Sequence, residues 1–328
     1  METNFADFIL NSTTRLAMPI GIYAGLEITG ASVRNAVSSA QAQTEAILAL
    51  HERFQTPAML TAMDLSAESE AFGCSIRMEE EEIPTVIGRL AKTRGEVEKL
   101  NVPVVGTART AVHLQTAANL VKQLPDIPVL GGVIGPFSLA GRLFGVSEAL
   151  EISLTDPDTL ELLLVKATSF LIEYVKAFRD AGAAGVIMAE PAAGLLSPRG
   201  LGRFSAPYVK QVVDEVETEE FTLLLHNCGA KIAHLPKILE SGARIYHFGA
   251  PMDIVKALEQ VDKTIILGGN LDPTSVFFSG KPEEVRQQTR TLLDQTNNYR
   301  NYFISSGCDI PPHIPIQNLE VFYSEVRK

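Results

Sequence analysis

Short apolar runs alternate with longer amphipathic stretches over most of this chain. The runs carry no polar alternation, which is typical of strands buried on both faces of a parallel sheet. Eight runs predict strands, at residues 58–62, 102–106, 129–134, 184–189, 222–225, 244–248, 264–267 and 302–305. Eight strands that alternate with helices favour a closed (β/α)8 barrel, and a doubly wound open α/β sheet is the alternative.

The stretches between the apolar runs have helical periodicity. The clearest are residues 158–181, 206–217 and 282–297. Asp158 is predicted to cap the first of these helices, with Glu161 completing a capping box and Gly182 ending the helix. Residues 1–55 are predicted to be mostly helical and to pack on the barrel as an N-terminal extension, so that residues 1–328 form one domain.

Composition and charge restrict the kinds of molecule that this chain is expected to bind. The chain has 328 residues, an apolar fraction of 46% and a net charge of -11, with no basic run. Such a chain repels nucleic acid and anionic membranes. No window approaches the ~18 uninterrupted apolar residues of a membrane helix. The first residues lack the basic start and apolar stretch of a signal peptide, and three cysteines without an export signal favour the cytoplasm over a disulfide framework.

Polar side chains follow or end several of the predicted strands. In a parallel barrel, chemistry gathers at the carboxyl ends of the strands. The residues placed there are Asp64, Glu190, His226, Cys228, His247, Asn270, Asp272 and Cys308. Polar residues that come directly after apolar strands predict the rim of an active site at this end of the barrel.

A His-x-Cys pair ends the fifth predicted strand. His226 and Cys228 face the same side of an extended chain because they are two residues apart, and Gly229 permits a sharp turn beyond them. Cys308 ends the eighth predicted strand, which opens into the same barrel mouth. Two thiolates and one imidazole make three zinc ligands and leave a fourth position open, as in catalytic rather than structural sites.

The alternative is a pair of buried cysteines and a histidine satisfied in the core. Cys74 has no place at a strand end and is interpreted as a packing residue. Zinc with thiolate ligands favours a soft incoming ligand such as a thiol, which would lose its proton there and become a nucleophile. Activation of water is the other option, disfavoured because two thiolates make the metal a weaker Lewis acid.

Six segments of the chain resemble the uroporphyrinogen decarboxylase superfamily. They are residues 63–73, 135–140, 180–198, 225–229, 269–273 and 306–318. The resemblance covers nearly the whole chain and implies the (β/α)8 barrel that the apolar runs predict independently.

The superfamily has two branches with different chemistry. Its decarboxylases use no metal and have closely spaced N-terminal arginines and a histidine after the last strand. Its methylcobamide:coenzyme M methyltransferases have His-x-Cys-Gly after strand five and a cysteine after strand eight, which hold zinc. This chain is similar to the second branch at His226, Cys228 and Cys308, whereas Arg15 and Arg34 do not form the arginine pair. The resemblance therefore implies Zn²⁺, a methylcobamide corrinoid as co-substrate and coenzyme M or a similar small thiol.

The resemblance also implies roles for other residues at the rim. Asp64 and Glu190 are the predicted catalytic carboxylates: Asp64 orients substrate or corrinoid, and Glu190 supports or joins the zinc ligands. Capping a helix and lying in a loop are their structural alternatives. Asn270, Asp272 and His247 are predicted to bind the cofactor, with turn formation or core packing as alternatives.

Two features leave the zinc site incompletely defined. Relatives with a fourth protein ligand have an acidic residue just after strand six, where this chain has Gly249-Ala250-Pro251. Glu190 is then the best candidate for a fourth ligand, and His313, in a proline-rich loop, is a weaker candidate than Cys308.

The predicted activity is methyl transfer from a corrinoid to a small thiol. No Asp-x-His-x-x-Gly corrinoid motif occurs in the chain, so the corrinoid is expected on a separate protein. A metal-free uroporphyrinogen decarboxylase and a non-catalytic protein that binds corrinoid or thiol are the alternatives.

Overall fold

The computed structural model describes residues 4–328. Within them the strands are β1 (Met59–Leu60), β2 (Ser75–Arg77), β3 (Thr85–Ile87), β4 (Val129–Ile134), β5 (Gly185–Ala189), β6 (Thr222–Asn227), β7 (Ile245–Phe248), β8 (Ile266–Leu271) and β9 (Tyr302–Ser306). The helices are α1 (Phe5–Asn11), α2 (Leu26–Thr29), α3 (Val33–Ser38), α4 (Ala40–Phe54), α5 (Ala67–Phe72), α6 (Arg94–Lys99), α7 (Thr110–Gln123), α8 (Pro136–Phe144), α9 (Val146–Thr155), α10 (Pro157–Asp180), α11 (Pro198–Phe204), α12 (Ala206–Val216), α13 (Leu235–Leu239), α14 (Ile254–Gln260), α15 (Pro282–Thr296) and α16 (Ile316–Val326).

One parallel sheet dominates the described part of the chain. Its seven strands follow chain order, β1-β4-β5-β6-β7-β8-β9, and β2 and β3 form a separate antiparallel hairpin. A doubly wound sheet reverses its strand order at a switch point, and this sheet does not. The predicted barrel-type α/β fold is therefore confirmed, and seven of the predicted strands are present. Their ends differ by a few residues, most at β8, which ends at Leu271 instead of 267.

The predicted strand at residues 102–106 is wrong. This segment is a loop that leads towards α7, and Val104 in it is 80% exposed. Pro103 has no N–H to donate to a sheet, and Gly106 has a φ of 87°, far from the negative φ of a regular strand. Apolar composition alone therefore mistook an exposed loop for a buried strand.

An extended N-terminal segment, residues 16–18, lies along the free edge of β9 instead. The N–H of Ile304 donates to the carbonyl of Leu16 at 3.0 Å, and the N–H of Met18 donates back to Ile304 at 2.9 Å. Ala17 and Ile304 thereby form a parallel bridge. The N-terminal region, predicted as mostly helical, thus also adds a short strand-like edge to the sheet.

The sheet encloses a cluster of inward-facing side chains. These are Leu130, Ile187, Leu224, Ile245, Ile266 and Phe303, which come from six strands and contact one another and helix α1. Phe5 and Ile9 of α1 pack into this cluster, and Asn4 donates to the carbonyl of Thr218, just before β6 begins. Helix α1 therefore closes the amino-terminal end of the sheet, and the polar residues lie at the other end.

The N-cap of helix α10 lies two residues earlier than predicted. Asp156, not Asp158, is its N-cap and accepts from the N–H of Thr159 at 3.3 Å. Pro157 occupies the first helical position, which its fixed φ suits. The predicted end is close to the observed one, because α10 ends at Asp180 and Gly182 has a φ of 89°. None of the helices in residues 4–328 has the length and apolarity to cross a membrane.

Candidate metal centre

The three predicted zinc ligands meet at the carboxyl end of the sheet. His226 is in β6, Cys228 follows it, and Cys308 follows β9. Their ligand atoms all lie within 4.8 Å of one another. Inward-facing residues alternate along each strand, and the register places His226 between Ala189 of β5 and His247 of β7. The fold therefore brings two distant parts of the chain to a common point.

Glycines allow the loops that carry the cysteines to pack closely. A Cβ atom on Gly249 would lie 2.1 Å from the carbonyl oxygen of Cys228. A Cβ atom on Gly307 would lie 2.9 Å from the backbone nitrogen of Ala250. The loops after β6, β7 and β9 are thus in backbone contact, which fixes the separation of Cys228 and Cys308.

We expect Gly249→Ala to displace Cys228 and to lower zinc affinity about 10- to 100-fold, the range seen when the supports of a metal ligand are altered. Competition with a chromophoric chelator measures the change. Gly95→Ala is the matched control, because no atom lies within 4 Å of a Cβ at that position. Equal affinities of the two variants would contradict the role assigned to Gly249.

The imidazole of His226 has one nitrogen engaged and one free. Nδ1 lies 2.8 Å from Nδ1 of His247, whereas the buried Nε2 has no hydrogen-bond partner. Buried polar atoms without partners are rare and usually mark an ion, a water or a function. A ring nitrogen of His226 and the two cysteine sulfurs together make a donor set that zinc accepts. The residues present therefore fit a zinc ion.

The two cysteines of the centre differ in acidity because they are coupled. The hydrogen bond from Cys308 lowers the pKa of Cys228 to about 7, although burial opposes this. The same contact, with burial, raises the pKa of Cys308 to about 12. The thiolate of Cys228 is thus substantially populated near neutral pH, and thiolates are the form that binds metal. Cys74 instead lies in the core between sheet and helices, as its interpretation as a packing residue requires.

His247 lies behind the candidate ligand His226. Its Nε2 is 2.7 Å from Oγ of Ser305, so the ring bridges His226 and β9. Burial, together with the neighbouring His226, lowers the pKa of His247 well below its usual value, which keeps the ring neutral. The sequence predicts that His247 binds the cofactor. In the structure this residue contacts His226, one of the three candidate ligands.

Glu190 binds the amino terminus of α8. Its Oε1 accepts from the N–H of Phe137 at 2.9 Å, and its Oε2 accepts from the N–H and hydroxyl of Ser138 at 2.9 and 2.7 Å. Helix α8 has no capping side chain of its own, so Glu190 satisfies its free donors. Burial raises the pKa of Glu190 to about 7 against these hydrogen bonds. Within residues 4–328, Glu190 is not part of the His226 ligand group.

We expect Glu190→Gln to lower the free energy of unfolding by about 1.5–3 kcal/mol, the value of hydrogen bonds to a charged group, and to leave zinc content unchanged. The amide nitrogen of glutamine would face N–H donors and could not accept from them. Denaturant unfolding and elemental analysis measure the two effects. Asp253→Asn is the control. It lies at an exposed N-cap that asparagine also suits, so it should change the free energy of unfolding little. Zinc loss from stably folded Glu190→Gln would assign Glu190 to the metal instead.

Asp64 is held in an ion-pair cluster. Its Oδ1 accepts from the N–H and hydroxyl of Ser66 at 3.0 and 2.6 Å, and its other oxygen pairs with Arg109. Arg109 also pairs with Glu70 at 2.7 Å. These contacts occupy the carboxylate that the sequence assigns to substrate or corrinoid. Arg109 was not predicted, since its pairing with Asp64 depends on the fold and leaves no mark in either segment.

Three other predicted residues hold local structure. Asn270 donates to the carbonyl of Met252 at 2.7 Å and so ties the end of β8 to the loop after β7. Asp272 caps the π-helical turn that follows β8 by accepting from the N–H of Ser275 at 2.7 Å. His313 is exposed and lies 3.2 Å from Glu27, away from the ligand group.

Asp309 and Tyr23 each have a buried polar atom without a hydrogen-bond partner, and the sequence predicted neither. Asp309 follows Cys308, and one of its carboxylate oxygens has no hydrogen-bond partner. Burial and the neighbouring Cys308 raise the pKa of Asp309. The phenol of Tyr23 is also unpartnered, and burial and Asp309 raise its pKa. The position of Asp309 after a ligand cysteine was the signal that could have identified it.

Comparison with known proteins decides the family. The sequence profile described as uroporphyrinogen decarboxylase (URO-D) matches residues 13–328. The chain belongs to the uroporphyrinogen decarboxylase family. Among the relatives of this family member is the methylcobamide:CoM methyltransferase MtbA of Methanosarcina acetivorans, 28% identical over 90% of this chain and 86% of that protein. The uroporphyrinogen decarboxylase of Vibrio campbellii is 27% identical over 88% of this chain and 84% of that protein.

The fold of this uroporphyrinogen decarboxylase family member is shared with a solved methyltransferase from Methanosarcina mazei. The two superpose with a TM-score of 0.87 over 97% of this chain and 96% of the other, at 23% sequence identity. Identities of 28% and 27% do not separate methyltransferases from decarboxylases. The candidate ligand group at the carboxyl end of the sheet therefore has to distinguish between the two activities.

Proposed function

We propose that this protein is a zinc-dependent methyltransferase that moves a methyl group from a methylated corrinoid to a small thiol. One observation supports the proposal above others: a ring nitrogen of His226 and the sulfurs of Cys228 and Cys308 lie within 4.8 Å of one another, and the buried Nε2 of His226 has no hydrogen-bond partner. A metal-free decarboxylase has no use for two thiols and a free imidazole nitrogen at its centre. Similarity to a methylcobamide:CoM methyltransferase agrees with this choice.

His226, Cys228 and Cys308 would hold the zinc ion and leave a position for the acceptor. When bound, zinc would lower the pKa of an acceptor thiol so that it reacts as a thiolate near neutral pH. The protein's own part is to hold the donors at fixed separation. The lowered pKa of Cys228 makes its thiolate accessible near neutral pH, and the backbone contact at Gly249 fixes its position.

The reaction would exchange one bond for another. A sulfur–carbon bond forms as the cobalt–carbon bond breaks, and the electron pair of the broken bond stays on cobalt, which becomes cobalt(I). The proton of the thiol passes to solvent. The chain has no corrinoid motif of its own, so a separate corrinoid protein is the proposed donor. Coenzyme M is the first acceptor to test, because a relative is named for it.

The test uses the zinc-loaded full chain with methylcobalamin as donor and coenzyme M as acceptor. We expect cobalt(I) absorbance and the methyl thioether to appear at equal rates, and both to cease after chelation and to return with zinc. Other small thiols, offered in parallel, identify the acceptor. Turnover of uroporphyrinogen by the chelated protein, with no methyl transfer to any thiol, would overturn the proposal in favour of the decarboxylase.

A further inference from the structure

A chain of hydrogen bonds connects the metal ligand His226 to the N-terminal segment. Nδ1 of His226 lies 2.8 Å from Nδ1 of His247, and Nε2 of His247 lies 2.7 Å from Oγ of Ser305. Oγ of Ser305 lies 2.7 Å from the carbonyl oxygen of Met18. All three side chains are 2% exposed or less, so water does not compete for these contacts.

The far end of this chain fixes the direction of every bond in it. A carbonyl oxygen can only accept, so the hydroxyl of Ser305 donates to Met18. Its second nearby acceptor, the carbonyl of Ser306 at 2.9 Å, leads to the same assignment. If the hydroxyl proton pointed at His247 instead, Oγ of Ser305 and the carbonyl oxygen of Met18 would lie 2.7 Å apart with no proton between them. Ser305 therefore accepts from Nε2–H of His247.

The direction of this hydrogen bond determines the tautomers of His247 and His226. A neutral His247 with its proton on Nε2 has a lone pair on Nδ1, which can only accept. Nδ1 of His226 must therefore carry the proton of that ring, and its Nε2 keeps the lone pair. That nitrogen is the buried atom without a partner, and His226 belongs to the candidate ligand group with Cys228 and Cys308, so Nε2 is the nitrogen left for the metal.

We propose that Ser305 and His247 are positioning residues that fix the tautomer and orientation of His226 for zinc. The inference rests on the zinc site of the proposed function but not on methyl transfer. A metal-ligating histidine commonly donates its second N–H to a carboxylate or carbonyl group. Here the acceptor is a second histidine, His247. The backbone carbonyl of Met18, acting through Ser305, determines which nitrogen of His247 carries the proton.

The test reads the tautomer directly in the unmodified protein. Long-range proton–nitrogen NMR spectra of the full chain, labelled at histidine and freed of metal, are expected to show His226 protonated at Nδ1 and bare at Nε2. Assignment uses the signal lost in His226→Asn. A proton on Nε2 of His226 in the folded protein overturns the inference. This measurement needs no activity and no variant of the positioning residues.

Zinc affinity is the second measurement, made by chelator competition. His247→Leu is expected to lower zinc affinity about 10- to 100-fold, because Nδ1 of His226 loses its acceptor. His247→Asn should retain most of the affinity, since its amide oxygen can take the place of the lost Nδ1. His113→Leu, which replaces another buried histidine outside the ligand group, should bind zinc as the unmodified protein does.

The outcomes separate this inference from the proposed function. Equal zinc affinity of His247→Leu and the unmodified protein would overturn the inference, whatever the activity. The expected tautomer and affinities, with no methyl transfer to any thiol, would leave the inference intact and refute the activity. If His247→Leu does not fold, Ser305→Ala replaces it, with a loss of zinc affinity again expected.

Discussion

Replacing Cys308 by alanine is expected to abolish zinc retention and methyl transfer together. The substitution removes one of three donors and leaves a nitrogen and a single sulfur, too few to hold zinc against dialysis. Zinc supplies several kcal/mol of stabilisation in reactions of this type, and each 1.4 kcal/mol is about tenfold in rate. We therefore expect the rate to fall by about 10³-fold or more. Elemental analysis and the cobalt(I) assay measure the two losses.

Cys74→Ala is the matched control for this substitution. Cys74 is buried in the core between sheet and helices, and burial raises its pKa to about 11, so it is a packing residue and not a thiolate ligand. We expect the variant to keep its zinc and its methyl transfer. Full zinc and full activity in Cys308→Ala would refute the ligand assignment, and zinc loss from Cys74→Ala would show that metal retention merely follows stability.

The second large effect is expected at Arg109. Arg109→Met leaves the carboxylate of Asp64 buried and without its counter-ion, and removal of one partner from a buried ion pair costs about 3–5 kcal/mol. We expect the free energy of unfolding to fall by that amount. Denaturant unfolding at neutral pH, read by circular dichroism, measures the change.

Arg94→Met provides the comparison at the surface. Arg94 and Glu98 form an exposed pair one helical turn apart, and such pairs contribute about 0.3–0.5 kcal/mol. Similar losses for the Arg109 and Arg94 variants would contradict the structural role of the Asp64 cluster. Unchanged stability with lost activity in Arg109→Met would assign Asp64 to substrate, as the resemblance implies.

The fold and the meeting of the three candidate ligands were predictable because their signals are local. Uninterrupted apolar runs mark strands buried on both faces, and residues that end such strands in a parallel barrel face one mouth. His226 and Cys228 are two residues apart and Cys308 ends another strand, so their meeting follows from strand order alone. No knowledge of side-chain packing was needed.

The rest depended on contacts between distant segments. Residues 102–106 are as apolar as a strand, and only Pro103 and Gly106 indicate an exposed loop. The pairing of residues 16–18 with β9 left no periodic pattern. The partners of Asp64 and Glu190 could not be predicted either. Arg109 and the amino terminus of α8 are distant from these carboxylates in sequence, and only the fold brings them together.

The bond between Ser305 and Met18 has a consequence for biosynthesis. The two residues are separated by 287 positions, so all the residues between them must be synthesised before this contact can form. Sequence-distant contacts are slow to form, and this one orients His226, a proposed metal ligand. The proposed zinc site should consequently form late in synthesis, and a product truncated before β9 should lack both Cys308 and the anchor that orients His226.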